Sequence, residues 1–386
     1  MRVSNLKKEN LLSSLEVLIV DCQATGSNPA KGRLLEIGWA RVRASSRENN
    51  EKITSYLIKL PHDEIIPTAV KRITGISAED AARGLPPKKA WKKLFRAVKR
   101  TAAANKRGLC PTVIHFARFE EPYLREMHQK WSPGKPFPFE IICTHRVIKR
   151  LLPQLPRKGL RAAAGYLGYS VPELRRSASH IEATNFTWKE TVKLLEQRGV
   201  RTLPELREWL EAPPAVSGAG SAGRVYPMAA KERSGLPGLP GVYRMLRSNG
   251  DLLYIGKATS LKQRVGSYFR KSAKHSERTL EMLTQANKLD ITVTGSALEA
   301  ALLESDEIKK HSPPYNAALR KGERRLFYFS SDLRQSAPGV DKVYRLGPVV
   351  SVQTLQSLAG IIELLEKGTG QFQAKLNKSF VQTFSK

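Results

Sequence analysis

Long apolar runs are absent from this sequence. The longest early one, "LEVLIV" at 15–20, is too short to span a bilayer and leads straight into Asp21. Neither a signal peptide nor a membrane segment is visible, so a cytoplasmic protein with no membrane partner is expected. Cysteine is scarce. Cys22, Cys110 and Cys143 lie far apart, without CxxC or zinc-ligand spacing, which argues against a disulfide framework. The seven histidines lack metal-ligand spacing too. No internal repeat of fixed period appears.

Acid is also in short supply. The 386 residues carry 35 Asp and Glu against 65 Lys and Arg, a formal charge of +30. The basic residues are spread along the chain rather than gathered in a tail. A positive field of that size favours a polyanion, most often nucleic acid. The bland reading is a ribosome-associated or merely basic protein. The length exceeds what one core usually holds, so two domains are expected.

Residues 15–60 read as three strands, "LEVLIVD", "RLLEIGWARV" and "ITSYLIKL", set apart by Gly, Asn, Pro and charged residues. Helical periods follow at 88–103 and 119–129, with the strand "PTVIHF" between them. "FEIICT" runs into a helix at 145–152, and 178–198 forms another helix closed by Gly199. Strands mixed with helices predict an α/β layered domain over 1–211. At 212–235 the composition changes: "APPAVSGAGSAG" has nothing to bury and reads as a flexible linker. A second domain is expected at 236–325 and a tail at 326–386.

The second domain opens with a hairpin. "VYRMLR" and "LLYIG" flank Asn249-Gly250, a type I′ turn signal. Thr259 or Ser260 can cap a helix beginning at Leu261, on which Arg264 and Tyr268 share a face. The helix in "SALEAALLESDEIKKHSPPYN" ends at Pro313 and sets Glu304 between Ala300 and Ile308, on the apolar side. Taken singly, these residues have ordinary explanations. Hairpin tyrosines pack, an isolated Arg is a solvated charge, and a lone helical Glu lies on the surface. Glu299, Asp306 and Glu307 read as a solvated face.

Together, in order and distance, they resemble the GIY-YIG nuclease domain of the UvrC excinuclease subunit and its shorter relative Cho, over about 236–322. The first motif is Gly241-Val242-Tyr243 and the second Tyr254-Ile255-Gly256-Lys257, followed by Arg264, Tyr268, Glu304 and Tyr315-Asn316. The resemblance implies a small α/β fold that hydrolyses phosphodiesters. That chemistry needs a metal, a positioned water and charge neutralisation. Glu304 is the acid placed to hold Mg²⁺ or Mn²⁺, and one carboxylate suits a mostly hydrated ion. Arg264 is the phosphate clamp. The resemblance implies Tyr254 as general base or water-orienter, Tyr243 and Tyr268 as positioning groups, and Asn316 as a further member of the catalytic set. Lys257 is expected to lower the Tyr254 pKa from its usual value of about 10. His311 stands where the family often has Tyr and is given no role. In the tail, "YRLGPVVSVQTLQSLAGIIELLEK" resembles the largely helical segment that follows the nuclease domain in UvrC.

In the first domain, "VDCQATG", "IPTAVKRITGIS", "HFARFEEPYL", "ICTHRVIKRLLP" and "HIEATN" resemble, in that order, the DEDDh exonucleases. These include the proofreading epsilon subunit of DNA polymerase III. The match covers about 15–198 and implies an RNase H-like fold. In that family four acids hold two divalent ions and a His is the general base. Asp21 keeps the first acid. Gln23 replaces the second. Glu120 stands where Asp is usual, and His180 matches the base. Asn185 replaces the last acid. Glu36, in "LLEIG", is not a ligand in the family. Two ions bring four positive charges, and this set offers two negative ones. The expectation is a degenerate, inactive exonuclease site in a fold that still grips a single strand or a 3′ end.

The sequence therefore predicts an RNase H-like α/β domain followed by a small α/β GIY-YIG domain, nicking DNA in excision-type repair with Mg²⁺ or Mn²⁺. UvrA- and UvrB-type damage-recognition proteins are the partners the resemblance points to. Two alternatives stay open. One is a bifunctional nuclease with residual 3′–5′ exonuclease activity. The other is a DNA-binding accessory protein with both sites silent.

Overall fold

The computed structural model describes residues 11–46, 51–61, 63–171, 174–213, 224–270 and 273–316, and in the tail 327–330, 336–337 and 342–349. The chain divides into two compact units, 1–316 and 317–386. The first unit contains two modules, each built on its own sheet.

The first module runs β1 (Glu16–Ala24), β2 (Leu34–Arg43), β3 (Thr54–Leu57), α1 (Thr68–Thr74), α2 (Ala78–Ala82), α3 (Pro87–Ala104), β4 (Cys110–Ile114), α4 (Ala117–Trp131), β5 (Phe139–Cys143), α5 (Thr144–Leu151), α6 (Leu160–Tyr166), α7 (Ser177–Gln197) and α8 (Leu203–Glu211). The sheet order is β3-β2-β1-β4-β5. β1, β2 and β3 pair antiparallel; β1, β4 and β5 pair parallel. This is the RNase H-like arrangement expected from the sequence. β1 is central and covered on both faces, which is why it reads as a continuous apolar run rather than an alternation. Its side chains still divide with period two. Leu18 and Val20 join Trp91, Leu94 and Val98 of α3, while Val17 and Ile19 join Trp188, Val192 and Leu195 of α7. Asp21 thus comes near the carboxyl end of the central strand, where open α/β sheets bind their ligands.

The second module runs α9 (Ala230–Ser234), β6 (Gly241–Leu246), β7 (Leu252–Ala258), α10 (Leu261–Ser267), α11 (Glu277–Gln285), β8 (Lys288–Val293) and α12 (Ala297–His311). Its sheet, β7-β6-β8, is antiparallel throughout. Tyr243, Met245, Leu253, Val265, Met282 and Leu283 are buried between sheet and helices. Among the described residues no helix is long and apolar enough to cross a membrane.

Three expectations need correction. The hairpin turn is not type I′. Gly250 has φ +92, but Asn249 is not in the positive-φ region. Gly250 N–H bonds to Arg247 O and Arg247 N–H to Asp251 O, a three-residue loop ending on a glycine rather than a two-residue one. Next, the expected linker is partly folded. Within 224–235, Met228 is 1% exposed in the second core, Tyr226 meets Phe269 edge-on at 5.2 Å, and Arg233 lies over the same ring. Apolar anchors after the Gly/Ala/Ser run give that stretch something to bury. Finally, the described part of the tail is a sheet, not helix: β9 (Phe327–Ser330), β10 (Ser336–Ala337) and β11 (Tyr344–Val349), in the order β10-β9-β11. The helix expected beyond 351 lies outside the described residues.

Trp188 is fully buried where α7 meets the central sheet. Trp188→Ala is expected to destabilise the first module by about 3–5 kcal/mol, through lost burial and a residual cavity. Urea unfolding of the full chain measures this, and a change below about 1 kcal/mol would mean that α7 is not the lid of that core.

Candidate active sites

In the second module β6, β7 and α10 bring three tyrosines and an arginine together. Tyr243 is fully buried and its hydroxyl lies 3.0 Å from that of Tyr268. Arg264 Nη2 donates to the same Tyr268 hydroxyl at 3.4 Å. The Tyr254 ring centroid is 5.9 Å from that of Tyr243. Gly256 makes this clustering possible: a Cβ there would stand 2.5 Å from the Tyr243 ring and 2.7 Å from Tyr254. α10 is positioned by its cap, in which Ser260, not Thr259, accepts the Gln263 N–H.

Two open cavities meet at Arg264. One, of about 640 Å³, is lined by Lys257, Thr259, Ser260, Gln263 and Arg270; the other, of about 480 Å³, by Tyr254, Tyr268, His275, Arg278 and Thr279. Both are rich in cations and hydroxyls, as an anionic strand requires. Glu304 comes from α12. Its Oε1 accepts the Lys257 backbone N–H at 3.1 Å, and its Oε2 lies 3.7 Å from Lys257 Nζ. Among the described residues no group of three or more His, Cys, Asp or Glu can hold a metal ion. A cation at Glu304 would therefore rest on one carboxylate and keep most of its water shell, a coordination that Mg²⁺ accepts. The residues fit such an ion.

The structure corrects three roles here. Lys257 does not lower the Tyr254 pKa. Three positions apart on β7, the two side chains leave opposite faces of the strand, and Lys257 serves Glu304. Burial, then Tyr268, pushes the Tyr254 hydroxyl up to about 12. Asn316 is not a free catalytic group. It is 7% exposed, its Oδ1 accepts Ile255 N–H at 2.9 Å and its Nδ2 donates to Ile255 O at 2.7 Å. It is a positioning residue for β7. Glu307, read as a solvated face, binds the Arg244 guanidinium and is mostly buried. One neighbour went unread in the sequence. His275 donates from Nε2 to Tyr268 O at 2.7 Å and stacks on that ring.

The exonuclease-like site is closed on itself. His180 Nδ1 lies 3.1 Å from Asp21 Oδ1, and Gln23 Nε2 donates to Asp21 Oδ2 at 3.1 Å. Glu120 is 5% exposed, with an Oε2 that finds no partner among the described residues. Burial, then the Asp21 charge, holds its carboxyl well above the usual range, toward the protonated form. Asn185 does not join them. It donates to Glu51 at 3.0 Å, and Glu51 also binds Lys189 at 2.8 Å. The reason is helical geometry. α7 is regular from Ser177, so five residues carry Asn185 about 140° around the helix from His180. Glu36 has a job that its strand motif did not disclose. It is 1% exposed, accepts Arg176 Nη2 at 2.7 Å and the Ser177 N–H at 2.9 Å, and so anchors the start of α7. A buried acid in an apolar strand needs such partners, which was the available signal.

Two divalent ions do not fit this donor set. Each Asp21 oxygen already accepts from a side chain, Glu120 is biased toward neutrality, and Gln23 and Asn185 carry no charge. An imidazole and an amide occupy the carboxylate that would anchor a cation.

Comparison with known proteins agrees with both halves. Residues 239–317 match the UvrC-like GIY-YIG domain and residues 18–176 match the exonuclease family RNase_T. UvrABC system protein C of Psychrobacter sp. (strain PRwf-1) is 49% identical over 96 residues, 25% of this chain and 16% of that protein. That of Francisella tularensis subsp. tularensis is 38% identical over 130 residues, 32% of this chain and 21% of the relative. The chain thus spans only a small part of the curated relatives it matches. Among solved structures, the N-terminal endonuclease domain of UvrC from Thermotoga maritima, bound to magnesium as its catalytic divalent cation, is 34% identical, with 23% of this chain and all of that one covered and a TM-score of 0.21. The nuclease domain of 3′hExo, a DEDDh family member, is 14% identical over 48% of this chain and 94% of that one, with a TM-score of 0.39.

Burial alone would lower the His180 pKa, but Asp21 outweighs it and raises the group above its ordinary 6.5. The folded protein then holds that proton more tightly than the unfolded chain. The pair's contribution to stability is full below about pH 6.5 and is lost as pH rises through the folded value. Urea unfolding from about pH 5.5 to about pH 8.5 is expected to reveal this loss in the wild type and not in Asp21→Asn. Parallel profiles for the two proteins would refute the pairing.

Proposed function

We propose, for a chain that joins an exonuclease-type domain to a UvrC-like GIY-YIG domain, a divalent-metal-dependent endonuclease that nicks DNA in excision-type repair. One observation carries this reading: Arg264, the Tyr243–Tyr268 hydroxyl pair and Tyr254 converge at the junction of two open, cation-lined cavities. Glu304 would hold Mg²⁺ or Mn²⁺, which supplies Lewis-acid stabilisation of the charge on the phosphate. The chain's own groups do the rest. Arg264 neutralises and orients the scissile phosphate. Tyr254, protonated at neutral pH, orients the attacking water through its hydroxyl. Tyr268, held by Tyr243 and His275, fixes the Arg264 fork. Lys257 steadies the Glu304 carboxylate.

The first module, on this reading, binds nucleic acid without degrading it. The support is the occupied Asp21 carboxylate and the removal of Asn185 to Glu51. The similarity to UvrABC system protein C supports UvrA- and UvrB-type partners and a cytoplasmic setting as parts of the same proposal. A silent accessory protein is disfavoured because no member of the second constellation is lost.

Glu304→Ala is expected to abolish nicking of duplex DNA in Mg²⁺ with the fold intact, since Ala is well tolerated in a helix. Tyr254→Phe and Arg264→Ala should each cost on the order of a hundredfold, the usual loss for a proton-handling or charge-stabilising group. Full activity in Glu304→Ala would remove the site assignment.

The Glu304→Ala protein is also expected to release no 3′ mononucleotides in Mg²⁺ or Mn²⁺. Trimming that His180→Ala stops would mean that the first site works as an exonuclease. DNA affinity should fall by orders of magnitude between about 50 and 200 mM salt as Lys and Arg contacts release counterions. A flat salt response would argue against a phosphate-tracking surface.

A further inference from the structure

The two modules of the first unit meet along one face. Helix α6 lies so close to α11 that a Cβ on Gly165 would stand 2.0 Å from Gln285 Oε1. Around this contact, bonds cross from module to module. The Arg157 N–H donates to Thr284 Oγ1 at 3.2 Å, and the Arg157 guanidinium pairs with Glu277. Arg161 Nε is 3.6 Å from Glu281 Oε1, and its guanidinium lies 5.6 Å from the Tyr315 ring centroid. At the hairpin tip Asn249 donates to Gly168 O at 3.3 Å and Ser170 Oγ at 3.1 Å.

From this face a network with a buried centre, Tyr315, Gln285 and Arg247, and half-buried ends, Glu281 and Asp251, runs to the strand that carries Tyr254. The Tyr315 hydroxyl donates to Glu281 Oε1 at 2.6 Å and accepts from Gln285 Nε2 at 2.5 Å. Gln285, 1% exposed, accepts in turn from Arg247 Nε at 3.1 Å, and Arg247 Nη1 donates to Asp251 at 3.1 Å. Tyr315 then grips β7: its backbone N–H donates to Leu253 O at 3.1 Å, and the next residue, Asn316, takes both groups of Ile255. Leu253 and Ile255 are the two neighbours of Tyr254. Polar groups buried in this way have few alternative arrangements, so displacing one displaces the others.

We infer that the exonuclease-like module is a docked support for the nuclease module, fixing β7 and thereby Tyr254 through Arg161, Glu281 and Tyr315. The surface of α11 is then reserved for this chain's own first module. Arg161, Glu281, Gln285 and Tyr315 are positioning residues. The inference rests on the nuclease reading above and extends it: the first module belongs to the catalytic framework as well as to DNA binding.

The test uses the full chain. Gly165→Leu drives a side chain into Gln285, and Tyr315→Phe removes the hydroxyl that joins Glu281 to Gln285 while keeping the ring against which Arg161 lies. Hydrogen exchange of α6 and α11 reads docking, exchange in β1 and β6 verifies that both modules are folded, and steady-state nicking in Mg²⁺ gives kcat and KM separately. In Gly165→Leu, exchange in α6 and α11 is expected to rise, with kcat lower by about tenfold or more and KM for DNA near wild type, because a small misplacement of a catalytic group acts on the chemical step. In Tyr315→Phe, α6 should stay protected while kcat falls comparably. An undocked Gly165→Leu protein that nicks at the wild-type rate would overturn the inference and leave the nuclease reading standing. So would unchanged protection in Gly165→Leu, or a wild-type kcat in Tyr315→Phe. A wild-type protein that does not nick overturns the nuclease reading itself, and the inference with it.

Discussion

Both hydrogen-bonding groups of Ile255 end on the side chain of Asn316, and much of the second module depends on that closure. β7 carries Tyr254 and Lys257, and β6 beside it carries Tyr243. α12 carries Glu304 and leads into the segment that ends at Asn316. One amide therefore ties the strand that carries Tyr254 to the end of the chain segment that carries Glu304. Gly256 supplies the matching steric condition, since any larger residue would separate the tyrosine rings. Neither group reacts with anything. They fix the outer edge of a short three-stranded sheet against the segment that follows α12.

The two candidate sites differ in how their charges are spent. At Glu304 one oxygen takes a backbone N–H, and the other has the ammonium of the half-exposed Lys257 side chain at 3.7 Å, beyond hydrogen-bond reach, so no side-chain donor occupies it. At Asp21 both oxygens take side-chain donors, one of them an imidazole whose proton the carboxylate retains. Glu120, facing the same charge in a buried setting, is pushed toward neutrality. The same residue types thus leave a carboxylate oxygen without a side-chain donor in one module and form a self-neutralised cluster in the other. What separates them is the identity of the nearest donors and, at Glu120, desolvation, not the number of acids alone.

The sequence alone determined the residue types, the periodicities and the spacing of short-range motifs. The central apolar strand, the hairpin and the helix caps follow from local rules, while the Tyr–Arg–Glu set and the two folds were legible through the resemblance of their ordered motifs to known families. The short helices α6 and α11 were not, because seven and nine residues give too few turns for a periodic signal. Local spacing also misled where direction mattered. Lys257 follows Tyr254 closely but leaves the other face of the strand. Asn185 follows His180 by the expected interval but is turned away, because α7 starts where Glu36, 140 residues earlier, holds Arg176.

Only the tertiary structure decided which lone pairs are taken and which titrations are displaced. Asp21 meets His180 across 159 residues of chain, and Arg157 meets Thr284 across 127. Hydrogen bonds and Coulomb interactions act over a few ångströms of space and are indifferent to chain separation. A sequence can name both partners of such a pair, but the pairing exists only once the fold has brought them within reach.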